Sequence, residues 1–64
     1  MIGLMRNALG GTTVTNGGAD VRGLTKREGS TFVAFVVRGR NMSRVGGSYD
    51  TDKRAVGAIL ARRV

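Results

Sequence analysis

The sequence predicts an α+β domain, an antiparallel sheet of three or four strands packed against one C-terminal helix. Three features carry this reading. The stretch Thr31 to Arg38 is β-branched and aromatic and holds no Gly or Pro, so its strand propensity is high. Gly39-Arg40-Asn41 breaks that run, supplies a residue that tolerates positive φ, and turns the chain back into Met42-Ser43-Arg44-Val45. Asp50 or Thr51 then stands where a helix cap is needed, ahead of a helical pattern running from Asp52 to about Arg63.

Taken in order, the chain begins with apolar residues at 2, 4, 5 and 9. They suit one or two helical turns that Gly10-Gly11 would stop. This segment reads as an arm that docks on the domain or on a partner, or as an unstructured leader. Residues 1–19 are accordingly an N-terminal arm carrying a candidate short strand at Thr12 to Thr15. Residues 20–64 form a β-β-β-α domain. Asn16-Gly17 is a hairpin-turn pair, and Gly18 loosens it further. Val21 to Arg27 alternates imperfectly and reads as a strand, with Glu28-Gly29-Ser30 turning into the central strand. Gly46-Gly47 is expected to end the return strand.

The central strand poses a question. Phe32, Ala34 and Val36 fall on one face; Val33, Phe35 and Val37 fall on the other. Both faces are apolar, and one helix covers only one. Ala34 suggests close helix approach on its side. The Val33, Phe35, Val37 face is then an interface, to be met by the N-terminal arm, a second copy or a partner. In the helix, Ala55, Val56, Ile59, Leu60 and Val64 form one apolar stripe. Asp50 and Asp52 at its start and Arg62-Arg63 at its end suit the helix dipole. Gly57 either permits close packing on the sheet or is simply tolerated. Tyr49 reads as a staple against the helix.

Composition narrows the function. Eleven Lys plus Arg face four acids, giving a net charge of +7, the balance of a small domain that meets a polyanion. Nine of the eleven are Arg, which favours bidentate contacts to phosphate or guanine. His and Cys are absent. That removes zinc knuckles, disulfides and the commonest general base. Asp50 with Asp52 is more simply a cap and a dipole partner than a metal pair. The glycine pairs at 10–11, 17–18 and 46–47 fit no phosphate-loop spacing, and turn chemistry explains them. No nucleophile has a suitable neighbour. The expectation is a protein that is not an enzyme and holds no cofactor or metal. No secretory pattern or membrane-length run is present, so the expected compartment is the cytoplasm. The candidate nucleic-acid-binding set is Arg22, Lys26 and Arg27 on the first strand, Arg38 and Arg40 at the hairpin, and Arg44 on the return strand. A solvated Arg-rich rim is the plainer account of the same residues.

Arg22-Gly23-Leu24, the aromatic-Val-Ala strand, the Gly-Arg-Asn hairpin, and Gly47 to Thr51 leading into an Ala-rich helix resemble the APETALA/ethylene-response-factor DNA-binding domain. They are similar too to the arm-site-binding domains of phage and transposon integrases. The resemblance spans about Val21 to Val64, and its most specific part is Gly47 to Thr51 with Ala55. It implies a three-stranded sheet backed by a helix, with the sheet in the major groove of double-stranded DNA. It also implies an origin in a phage or mobile element. Arg22 and Arg27 match basic positions of the family's first strand. Thr25 stands where another Arg is usual, and Val45 where a Trp is common. Phe35 and Val37 stand where the family carries polar, DNA-facing side chains. The rival expectation is a phage-encoded inhibitor that binds a host nucleic-acid machine as a homodimer. A groove-binding sheet wants the Phe35 face polar and open; a dimer or inhibitor wants it buried.

Overall fold

The computed structural model describes residues 2–18 and 20–62. It is α+β, with five antiparallel strands and one C-terminal helix. The strands are β1 (Gly3–Arg6), β2 (Thr12–Thr15), β3 (Val21–Glu28), β4 (Thr31–Arg38) and β5 (Asn41–Tyr49), and the helix is α1 (Asp52–Arg62). Strand order in the sheet follows chain order, so each strand pairs with the next and the sheet is a simple meander.

The sheet thus has five strands where the sequence suggested three or four. Met1 to Leu9 suggested helical turns, yet Gly3–Arg6 is an edge strand. The reason is one side chain. The Asn7 amide accepts from the backbone N–H groups of Leu9 (2.9 Å) and Gly11 (3.0 Å), closing the β1–β2 turn on itself. The same amide donates to the carbonyl of Thr25 on β3 at 2.9 Å. The Arg27 N–H then donates to the Leu9 carbonyl at 3.0 Å. Gly11 lies so close to Thr25 that a Cβ there would strike its backbone. The turn is therefore pinned to β3, and β1 and β2 continue the sheet.

The helix lies over β4, with β3 and β5 to either side. It covers the face that carries Phe32, Ala34 and Val36. Ala34 joins Val14, Val45, Ala55, Val56 and Ile59 in the core cluster, with Phe32, Val36, Ile2, Tyr49 and Ala58 packed against it. Close approach occurs at Ala34, as the small side chain implies, and at Gly23. A Cβ on Gly23 would meet the Phe35 carbonyl at 2.6 Å and Ile59 Cγ2 at 2.7 Å. Gly57 has open space around it and no part in this contact. Complete burial of Ile59 contributes about 1.5–3 kcal/mol, so the core is small and each large member counts.

Thr51 caps the helix: its hydroxyl accepts from the Arg54 N–H at 3.2 Å. Asp52 does more than complement the dipole. Its carboxylate accepts from the Thr12 hydroxyl (2.5 Å) and the Thr25 hydroxyl (2.5 Å), tying the helix start to β2 and β3. Tyr49 packs against the core as the staple reading expected, and its hydroxyl donates to the Val45 carbonyl at 3.3 Å. Of the predicted helical stripe, Ala55, Val56 and Ile59 are buried and Leu60 is 37% exposed. Ala58, placed off the stripe by the sequence, packs against the core. Arg63 and Val64 lie outside the described residues.

Gly46-Gly47 does not end β5. The strand runs through both to Tyr49 by way of a bulge. Phe32 pairs with Tyr49 and Ala34 with Val45, so Val33 alone faces Gly46, Gly47 and Ser48. Gly46 sits at φ +66°, a backbone state that other L-residues rarely adopt. A side chain there would also strike the Tyr49 hydroxyl.

Candidate nucleic-acid interface

Strand alternation and cross-strand register place each candidate side chain. Leu24 pairs with Phe35 and Phe35 with Arg44. On the other side Leu24 pairs with Thr13, and Thr13 with Met5. One row therefore crosses all five strands on the face away from the helix: Met5, Thr13, Leu24, Phe35, Arg44. Val37 pairs with Met42 in the next row on that face. Lys26 pairs with Val33 in the row on the other side.

The same alternation divides the six candidate cations. Lys26 and Arg44 lie on the open face with Phe35. Arg22 stands beside them, at the start of β3, as the extra residue of a bulge. Val14 pairs with Gly23 and Thr15 with Val21, leaving Arg22 unopposed between them, and bulges characteristically re-aim such a side chain. Arg40 sits in the β4–β5 turn beside Gly39. Arg27 and Arg38 share parity with Thr25 and Ala34, so they belong to the helix side, beyond the reach of the helix itself. Arg27 lies against Gly10, and its Nε donates to the Gly29 carbonyl at 3.0 Å. A three-strand reading of the sequence groups all six around one sheet and its tip. The register puts Lys26 and Arg44 on one face, with Arg22 at the bulge beside it, and turns Arg27 and Arg38 away.

The apolar part of this face is more extensive than Val33, Phe35 and Val37. Val33 is fully enclosed within the single chain. Phe35, Val37 and Leu24 are half-buried, and Met42 is 56% exposed. Leu24 and Met42 escape a reading confined to β4. Alternation along β3 and β5 with the correct register is the signal that finds them. The result is an apolar quartet, Leu24, Phe35, Val37 and Met42, with Arg22, Lys26 and Arg44 around it. Glu28 lies 3.6 Å from the Lys26 ammonium. That pair is half exposed on both sides and holds Lys26 only weakly.

The N-terminal strands do not cover this face. They extend it sideways, and Ile2 packs on the helix side instead. Thr25 is fully buried and bonded to Asp52. It contributes to the fold and not to this surface. Asp50 pairs with Arg54 at 3.5 Å on the helix surface, apart from Asp52. Among the described residues no helix is long and apolar enough to cross a membrane. Comparison with protein-family models, with curated proteins and with solved structures finds no match.

Proposed function

We propose that the chain binds double-stranded DNA with the sheet face opposite the helix. One observation carries the reading: among the described residues no helix or strand packs over that face, and, Val33 apart, it presents Lys26 and Arg44, with Arg22 at the β3 bulge and Arg40 at the adjoining turn. The net charge of +7 adds long-range attraction for a polyanion. In this reading the cations contact phosphates and set the register on the duplex, while the helix holds the sheet rigid from behind. The central strands β3, β4 and β5 span about 10 Å at ordinary strand spacing, within the width of the major groove.

A second reading rests on the quartet. A face with Phe35 and Leu24 at its centre also suits a protein partner, as in a homodimeric inhibitor of a host nucleic-acid machine. Fluorescence anisotropy on a labelled random duplex at low salt separates the two. Triple replacement of Arg22, Lys26 and Arg44 by Ala is expected to abolish binding. Replacement of Arg27, Arg38 and Arg54 by Ala removes the same charge from other surfaces and is expected to leave most of it. Equal loss in both triple variants means that net charge alone, and not this face, holds the DNA.

A further inference from the structure

We infer that the apolar quartet reads the C5-methyl groups of thymine in the major groove. The inference rests on the DNA-binding reading above and names what the centre of that face recognises.

Any occupant of this face has to meet two chemistries at once. It must be anionic, because Lys26 and Arg44 flank the quartet and Arg22 stands at the adjoining bulge, against Glu28 beside Lys26 and Asp20 in the β2–β3 turn. It must also offer apolar groups to Leu24, Phe35, Val37 and Met42. A second copy of the chain satisfies the apolar demand but brings the same three cations against their equivalents, a like-charge arrangement. Duplex DNA satisfies both. Its phosphates line the groove edges, and thymine is the base whose major-groove edge carries a methyl group.

Spacing supports the match. The Leu24–Phe35 and Val37–Met42 pairs sit in successive rows of one face, and Phe35 and Val37 are two residues apart along β4. That separation is about 6.8 Å at the usual strand rise, and two base steps cover about 6.8 Å along a strand of the duplex. A strand aligned with the groove therefore sets its two apolar rows against bases two steps apart. The side chains of Phe35 and Val37 carry no hydrogen-bonding group, so apolar contact is what they supply. Val33, fully enclosed, takes no part.

The test removes the methyl and nothing else. Binding is measured by anisotropy at fixed low salt on alternating d(A-T) and d(A-U) duplexes of one length, and on alternating d(G-C) with and without 5-methylcytosine. Thymine and uracil share every hydrogen-bonding group in the groove. The expected result is weaker binding to d(A-U) by about fourfold for each methyl contacted, the factor for burying one methyl-sized group. A gain of similar size should follow 5-methylation of d(G-C). Phe35→Ala and Val37→Thr should each shrink both differences while still binding d(A-U). Equal affinity for the methylated and unmethylated members of both pairs overturns the inference and leaves DNA binding intact. Absence of duplex binding at low salt overturns both. A dimer in light scattering that Phe35→Asp dissociates would assign the face to a second copy, and that also overturns it.

Discussion

At the scale of single residues, Asp52 shows how a side chain with an ordinary sequence reading does more than its position suggests. As a first-turn acid it was expected to complement the helix dipole. In the fold it also accepts hydrogen bonds from the hydroxyls of Thr12 and Thr25, and Thr25 is fully buried. Replacing Asp52 with Ala leaves that buried hydroxyl without its acceptor and should destabilise the chain by about 1–3 kcal/mol in urea unfolding. Asp50→Ala removes an exposed pair with Arg54 and should change stability by less than about 1 kcal/mol. Equal effects of the two would mean that the dipole, and not the threonine contacts, is what Asp52 supplies. The two phenylalanines also separate at this scale. Both are half-buried, but Phe32 packs against the helix-side core cluster and Phe35 lies on the open face. A sequence in which both faces of β4 are apolar suggests the same large loss for each. The fold predicts a larger stability loss for Phe32→Ala, up to the 3–5 kcal/mol range of large aromatic truncations, and a smaller one for Phe35→Ala.

At the scale of elements, two glycines make opposite predictions. Gly23 is pressed between the Phe35 carbonyl and Ile59, so Gly23→Ala forces β3 away from the helix and should cost about 1–3 kcal/mol. Gly57 has open space around it, so Gly57→Ala should stabilise by up to about 1 kcal/mol through helix propensity alone. Paired thermal unfolding curves check both signs. Local pattern located β3, β4, the β2–β3 turn and the helix, with its cap narrowed to Asp50 or Thr51, because each rests on propensity or turn chemistry within a few residues. It did not locate β1. Four residues with no alternation become a strand only because Asn7 bonds to Thr25, eighteen positions away. Nor did it carry β5 through Gly46-Gly47. A glycine pair reads as a stop unless the bulge opposite Val33 is known. Asn7→Ala should therefore release β1 first, seen as faster amide exchange at residues 3–6 than elsewhere in the sheet.

At the scale of the whole molecule, the sheet has one covered face and one open one. The sequence made this division necessary, since both faces of β4 are apolar and one helix is present. It did not determine which cations share the open face, because that depends on register. Lys26 and Arg27 are equivalent as basic residues of one strand, yet as regularly paired neighbours they fall on opposite sides of the sheet. The central claim is that the open face meets duplex DNA, and the salt dependence of binding tests it most directly. Contacts from Arg22, Lys26, Arg40 and Arg44 predict that log K falls with log salt at a slope of about −3 to −4 for wild type. Arg44→Ala should flatten the slope by about one, and Arg27→Ala, facing the other way, should leave it unchanged. A flat salt dependence, or an Arg27→Ala slope reduced as much as that of Arg44→Ala, would contradict the account.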